Sequence, residues 1–450
     1  MPNTARVLIV GENAARTPSN LSQTLQSHGF ISDNVDLATG IVDSNTSTRP
    51  DVVVFDLLQA DASRQINQFL EFARRLKRES ALAHLPIVAI GDDDSCTDSV
   101  IDDIRHAQVD EVIVGPVNEH QICGRLNALV RLNTMHEELV RRLTTSAKYG
   151  VDAPAVTAPP RELIDATVLV VGATEAFPII ENTLSRHATL IGALTPETAL
   201  DYLTRRDFDT VILDLGFDPQ PYLDLCRQVR RNSRLFNIPI VLLAKQELME
   251  DPQLASCEGV TDIIAKPIRT LELETRIISL ISELRFRNSL RSIYQQARHM
   301  ATSDGLTGLF SRGFLLEHLR IIITQTQERA RQFSVAFLEI SNIEQINQKF
   351  GYVVGDRIIR QVGEMMGLLV RGEDLTARYN NARYCIILPD TSVEAARVAV
   401  KRISGVVNCT ELTAPDIDGP IKVDLICSVS EYQDDAGPQE MIDRIKSKLS

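Results

Sequence analysis

The residues able to do chemistry in this chain are carboxylates and cations, because the soft metal ligands are badly placed. The seven cysteines (Cys96, Cys123, Cys226, Cys257, Cys385, Cys409 and Cys427) contain no Cys-x-x-Cys, and the eight histidines never fall at metal-ligand spacing, with none beyond His318. This argues against a structural zinc site and a disulfide framework, and the thiols read as core or surface groups of a reducing compartment. The carboxylates and cations stand instead where apolar runs stop. Asp56 and Asp214 each close a run rich in Val, Ile, Leu or Phe, and Lys266, followed by Pro267, closes another. Taken alone, Asp214 and Lys266 make an ion pair. Arg371-Gly372-Glu373-Asp374 follows a helix-like stretch, and an isolated Arg-x-x-Asp pair there is a solvated ion pair worth less than about 1 kcal/mol. Arg206-Asp207-Phe208-Asp209 repeats that spacing by accident.

The elements that must position these groups emerge from length and self-similarity. The chain has 450 residues, which at about 150 per domain suggests three domains. With 47 Lys and Arg against 60 Asp and Glu, the net charge of −13 disfavours general binding to nucleic acid or anionic membranes. Tryptophan is absent and aromatics make up 5%, so a nucleotide site would rely on Arg and backbone rather than stacking platforms. No segment has the apolar length of a membrane span, and Met1 to Gly11 lacks a signal-peptide layout, so a soluble cytoplasmic protein is expected. Val7-Leu-Ile-Val-Gly11 recurs as Val168-Leu-Val-Val-Gly172, Asp51 to Asp56 as Asp209 to Asp214, Leu85 to Val88 as Ile238 to Val241, and Ile113 to Pro116 as Ile264 to Pro267. Each block is a short continuous apolar run, the pattern of a parallel strand covered on both faces, and helix-like stretches lie between them. The chain therefore begins with one doubly wound α/β domain present twice. Boundaries are drawn at 1–135, a connector at 136–164, a second copy at 165–285, a helical connector at 286–302 and a third domain at 303–450. The connector is placed on the Ala, Thr and Pro content of Thr144 to Pro160. From Leu271 to Met300 apolar residues recur at helical spacing, which predicts one long helix that either packs on its own domain or serves as a dimerising stalk.

A strand ending in an acid cluster, a second ending in Asp, a third in Thr or Ser and a fourth in Lys-Pro form the layout that both repeats resemble, that of response-regulator receiver domains (CheY-like, flavodoxin-like). The resemblance implies that the acid pair holds Mg²⁺, the Asp accepts a phosphoryl group, and the Thr and Lys read it. Neither copy is complete. In the first, Asp56 is at the acceptor position, but Gly11-Glu12 replaces the acid pair and Gly91 and Gly115 replace Thr and Lys. In the second, Asp214 and Lys266 remain, with Gly172-Ala173 for the acid pair and Ala244 for Thr. Both aspartates are expected to be vestigial phosphoacceptors, Asp56 being the better candidate because Glu12 could assist a metal.

Ser303-Asp304-Gly-Leu-Thr-Gly-Leu-Phe-Ser-Arg312, Val335 to Asn342, Ile346 to Gly351 and Gly355-Asp356 resemble, in order and spacing, the GGDEF domain of diguanylate cyclases, a nucleotidyl-cyclase-like α+β fold. In that family a Gly-Gly-Asp/Glu-Glu-Phe hairpin admits the GTP phosphates, binds Mg²⁺ and assists catalysis. Here the hairpin reads Asn380-Asn381-Ala382-Arg383-Tyr384. Ala382 cannot ligate a metal, Arg383 inverts a charge, and on the facing strand Glu339 is the only acid because Ser341 carries none. The family's final helix and its Lys and Arg phosphate contacts are expected after Met441 to Arg444, where the sequence ends at Ser450. Asn347 and Asp356 fall on guanine-contacting positions, or are simply a helix-face amide and a capping carboxylate. Arg371 and Asp374 fall, five residues before the hairpin, on the family's product-binding Arg-x-x-Asp site, and Arg402 on its third position. The resemblance implies that Arg forks onto guanine and phosphate while Asp accepts from the guanine edge.

The whole chain thus resembles the receiver–receiver–GGDEF proteins, and within them the non-catalytic cyclic di-GMP effectors paralogous to the cyclases. That resemblance implies cyclic di-GMP at Arg371, Asp374 and Arg402, no catalytic residue, no cofactor or Mg²⁺, and protein partners met through the receivers. It further implies delivery of cell-cycle regulators to the ClpXP protease at the cell pole, with a homodimer as one possible assembly. The rival is a weak or regulated diguanylate cyclase with product inhibition, which needs the metal site that residues 380 to 384 deny.

Overall fold

In this computed structural model the described residues are 5–449 apart from 12–19, 37–48, 59–61, 80–81, 93–95, 115–118, 151–164, 173–174, 217, 233, 236, 246–258, 299–302, 330, 416, 418 and 434–436. The first domain holds β1 (Arg6–Gly11), α1 (Asn20–Ser27), β2 (Ile31–Asp36), β3 (Val52–Asp56), α2 (Ala62–Arg78), β4 (Ile87–Gly91), α3 (Asp98–His106), β5 (Glu111–Val114) and α4 (Glu119–Ala147). Its strands pair in parallel in the order β2-β1-β3-β4-β5. Alternate residues feed two cores: Leu8, Val10, Val53, Phe55 and Ala89 on one face, and Val7, Ile9, Val52, Val54 and Val88 on the other. A strand buried on both sides must be apolar at every position, which is why these runs lack the alternation of a half-exposed sheet.

The second domain repeats the plan with β6 (Ala166–Gly172), α5 (Phe177–Leu184), β7 (Ala188–Ala193), α6 (Pro196–Arg205), β8 (Thr210–Asp214), α7 (Gln220–Arg231), β9 (Ile240–Lys245), β10 (Asp262–Lys266) and α8 (Thr270–Arg298). Its sheet runs β10-β9-β8-β6-β7, the same topology. The matched blocks overlap corresponding strands, whereas the edge strands β2 and β7 carry no repeated run because their sequences are polar or Gly-containing and only half covered.

The third domain has α9 (Arg312–Arg329), β11 (Phe333–Ile340), α10 (Ile343–Phe350), α11 (Tyr352–Leu369), β12 (Leu375–Asn380), β13 (Arg383–Pro389), α12 (Val393–Cys409), β14 (Leu425–Glu431) and α13 (Pro438–Lys446). The strands form an antiparallel sheet, β12-β13-β11-β14, with a core on each face. Two receiver-like parallel α/β domains therefore precede an α+β domain of GGDEF layout.

Three expectations need correction. The connector was drawn from residue 136, but α4 runs unbroken to Ala147 and buries Arg141, Arg142 and Thr145, so the first receiver's last helix continues well past 135. Its apolar positions Leu132, Met135, Leu139 and Leu143 keep helical spacing, a signal outweighed by the loop-like composition further on. The helical connector begins inside α8, which is continuous with the second domain. In α8, Leu273, Ile277, Leu280 and Ile281 pack in their own domain's core, while Phe286 joins Met135 and Leu139 of α4; the side chains from Leu290 onward lie outside the described set. Third, a final helix forms across Met441 to Arg444 rather than after it: α13 buries Met441, Ile442 and Ile445.

The receivers meet through corresponding faces. Arg125 of α4 grips Glu111 of β5 (2.7 and 2.8 Å), and its counterpart Arg276 of α8 lies 3.6 Å from Asp262 of β10. Arg125 also reaches Glu283 of α8 at 3.7 Å, and Arg269 of the second domain donates to the Cys96 carbonyl of the first at 2.6 Å. The α3, β5 and α4 side of the first receiver is thus occupied by the second receiver's last helix.

Candidate functional site

In receiver 1, Asp56 is buried at the end of β3, where its Oδ1 accepts the Leu58 N–H at 3.2 Å. Glu12 and Gly115 lie outside the described residues. In receiver 2, Asp214 is buried and Lys266 donates to its Oδ1. Gly172, at the place of the family's acid pair, has φ +117°, and a Cβ there would fall 2.4 Å from the Asp214 carbonyl oxygen. A carboxylate-bearing side chain does not fit at 172, so receiver 2 does not fit a receiver's Mg²⁺ site.

The hairpin between β12 and β13 turns at Asn381 with φ +40°, held by a hydrogen bond from Arg378 Nε to the Asn381 carbonyl at 2.8 Å. Asn380 and Asn381 are exposed, but Ala382 faces the core. Tyr384 is fully buried, donates to the Ile359 carbonyl at 2.6 Å, and has its phenol pushed upward in pKa by burial. Cross-strand pairing sets Glu339 opposite Arg383, and the two form a salt bridge of 2.9 Å. Ser341 spends its hydroxyl on the Asp424 carbonyl at 3.0 Å. The one carboxylate at the place of a cyclase's metal strand is therefore neutralised by a guanidinium, and this set of side chains does not fit Mg²⁺.

Asn347 packs its amide against Gly355 so closely that a Cβ there would lie 1.8 Å from Oδ1, an oxygen that is buried without a hydrogen-bond donor. Asp356 is exposed on α11, beyond its first turn, so it is not the capping carboxylate its spacing allowed.

The Arg371 loop joins α11 to β12, and its groups are divided between solvent and interior. Arg371 and Arg402 are both exposed, and Arg402 reaches across from α12 to donate to the Leu369 carbonyl at 3.2 Å, two residues ahead of Arg371. The two guanidinium-bearing residues expected at the site thus share one edge of the domain. Asp374 departs from the expected outward pose: it is 4% exposed, its Oδ2 accepts the Arg371 N–H at 2.8 Å, and Oδ1 has no donor. Burial, with Glu373 beside it, raises its pKa to about 7 against the pull of Arg371 and Arg142.

What covers this loop comes from receiver 1, and sequence reasoning missed it. Arg142 of α4 donates to the carbonyls of Gly372 (3.1 Å) and Glu373 (2.9 Å), and Arg131 bonds the Glu373 carboxylate at 3.1 Å. The Met135 methyl lies 3.1 Å from where a Cβ of Gly372 would be. Alongside, buried Glu138 bonds Arg142 and Arg141 and lies 3.0 Å from His318 Nε2 of α9. Burial opposes its charge, yet these cations hold its carboxyl below the ordinary range. Arg331 gathers Asp51 of receiver 1, Glu137 of α4 (2.9 Å) and Asp390 (3.1 Å) into one buried hub. These partners lie far apart in sequence, so no local spacing announces them.

A family model and sequence relatives agree with this layout. Residues 301–449 match the family model described as diguanylate cyclase, GGDEF domain. Response regulator PleD of Caulobacter vibrioides is 23% identical over 400 residues, covering 88% of this chain and 85% of the relative. Probable diguanylate cyclase DgcT of Escherichia coli K12 is 26% identical over 176 residues, 38% of this chain and 37% of the relative. Among solved structures, the GGDEF domain of DgcB from Caulobacter crescentus in complex with c-di-GMP is 21% identical, covers 34% of this chain and 86% of that one, and has a TM-score of 0.33. Among the described residues no helix is long and apolar enough to cross a membrane. The chain carries a GGDEF domain behind two receiver-like domains, and over most of its length it is similar to a PleD-type response regulator.

Proposed function

We propose that this chain is a non-catalytic cyclic di-GMP effector. Cyclic di-GMP binds at Arg371 and Arg402, with Asp374 reading the guanine edge, and changes which proteins the chain recruits. The observation that carries the reading is the pairing of Glu339 with Arg383, which occupies the metal strand, while at the other end of β12 Arg371 remains exposed beside the exposed Arg402. A guanidinium suits the ligand because it forks onto phosphate and onto N7 and O6 of guanine, contacts an ammonium cannot duplicate. No Mg²⁺ and no covalent step are required, so the ligand acts by differential affinity for arrangements of the domains.

Partners meet the receivers on faces other than the one closed between α4 and α8. Delivery of cell-cycle regulators to the ClpXP protease at the cell pole is the role the resemblance implies for such contacts. The competing reading, a weak diguanylate cyclase, has the family's usual activity in its favour and the Arg383 cation against it.

Calorimetric titration of the full chain with cyclic di-GMP, beside Arg371→Ala, tests the proposal. Binding by the unaltered protein and its loss in the variant are expected; equal binding by both, or none by either, overturns it.

A further inference from the structure

The loop that carries Arg371 and Asp374 is not open to a ligand that needs both residues. Two exposed arginines lie on one edge, but the carboxylate turns inward, and the loop's backbone is gripped by a helix of another domain. Arg142 holds two consecutive carbonyls, at Gly372 and Glu373, and Arg131 holds the Glu373 side chain. Met135 closes over Gly372, where the lack of a side chain lets the helix approach.

We propose that helix α4 of receiver 1 is an autoinhibitory cover of the Arg371 to Asp374 loop, so that a cyclic guanine dinucleotide and α4 compete for it. This rests on the effector reading above and adds how that site is regulated. Asp374 cannot accept from a guanine edge while its Oδ2 serves the Arg371 N–H and its Oδ1 is buried, so ligand capture requires the loop to part from α4.

The closed arrangement is also poorly satisfied. Asp374 Oδ1 and Glu373 Oε2 are both buried carboxylate oxygens without a hydrogen-bond donor. Such groups gain when they reach water or a donor, which lowers the cost of parting the loop from α4. The rest of α4 is anchored independently, by Glu138 to His318 and by Glu137 to Arg331. With α4 held in place, it is the loop that moves, and its departure uncovers Arg131, Met135 and Arg142. Release thereby changes the surface that receiver 1 offers, which couples nucleotide capture to recruitment. By linkage, whatever weakens the cover strengthens ligand binding by the same factor.

The experiment uses the full chain and cyclic di-GMP. Arg142→Ala removes the grip on both carbonyls and is expected to tighten binding about tenfold, the equivalent of one charge-assisted hydrogen bond of roughly 1.4 kcal/mol. Unchanged or weaker binding by a folded Arg142→Ala protein overturns the proposal. Should that variant not fold, Met135→Cys supplies a second readout, with labelling at position 135 followed by mass spectrometry to separate it from the native thiols. Saturating ligand is expected to raise that labelling rate at least about fivefold, since Met135 is 5% exposed when covered. Ligand binding that leaves the rate unchanged or lowers it overturns the cover while leaving the effector reading intact. No detectable binding by the unaltered chain overturns the effector reading, and this inference with it.

Discussion

The hairpin at 380–384 and the loop at 371–374 flank the same strand, β12, yet they are closed by different physics. The hairpin is closed from within its own sheet: Arg383 neutralises Glu339 across the β11 and β13 pairing, and Ala382 and Tyr384 belong to the core. Reopening it would mean rebuilding the fold. The loop is closed from outside, by two arginines and a methionine of a different domain, while its own arginine remains exposed. A site lost by substitution and a site masked by a neighbour look alike as absences of access. They differ in that only the second can respond to a ligand.

The sharpest way to break this comparison is to remove the hub that seats receiver 1 on the third domain. Arg331→Ala leaves Asp51, Glu137 and Asp390 together without their shared cation, and should cost about 3–5 kcal/mol, as loss of one partner of a buried ion network does. Denaturant unfolding would show a large fall or a separate transition for the third domain. An unchanged midpoint would mean that the seat is not held there.

Receiver 2 offers a parallel case of closure by construction. Gly172→Asp, which nominally restores part of an acid pair, should lower stability by about 1–3 kcal/mol, since its Cβ would strike the Asp214 carbonyl and its φ is positive. Thermal unfolding checks the loss, and beryllofluoride with Mg²⁺ should still leave Asp214 unmodified.

The two junctions of α4 should also respond to pH in opposite senses. Burial, followed by neighbouring His136 and Arg49, lowers the His84 pKa to about 3, and burial lowers that of His136. Depressed folded pKa values contribute stability that is present above about 6.5 and lost as pH falls, so the stacked pair beside Phe286 should loosen under mild acid. Asp374, raised to about 7, contributes stability that is full below about 3.8 and lost as pH rises through 7. Glu373, Arg371 and Arg142 face it and modulate that change. Hydrogen exchange at pH 6 and pH 8 should therefore show the 371–374 contact looser at the higher pH, and the His84 contact tighter.

The smallest effect is expected at the hairpin. Arg383 and Glu339 keep part of their side chains in water, so Arg383→Ala should cost less than about 1 kcal/mol and leave cyclic di-GMP affinity unchanged. A large loss of affinity in that variant would tie the two regions together and dissolve the distinction.

Most of the architecture could be read from the residues, because doubly buried strands must be continuously apolar and a duplicated fold repeats its runs in order. The long helix from Leu271 was legible for the same reason, since its stripe has one period. The edge strands β2 and β7 carry no such signature, being half covered. At the candidate site, residue identity was readable and pose was not: nothing local in Arg371-Gly-Glu-Asp374 says that Asp374 turns inward. The groups that cover its loop, Arg142 and Met135, lie more than 200 residues away in a helix whose second half has the composition of a connector. The apolar spacing of Leu132, Met135, Leu139 and Leu143 marked that helix, but its partner had to be seen in three dimensions.

The measurement that tests the central claim most directly is a paired nucleotide assay on the intact chain. One sample receives GTP and Mg²⁺ and the other cyclic di-GMP, and chromatography then follows free and protein-bound nucleotide. The account predicts that cyclic di-GMP is retained by the protein and that none is formed from GTP. Formation of cyclic di-GMP in proportion to the amount of protein added would contradict it, because a chain whose metal strand is closed by Arg383 has no route to that product.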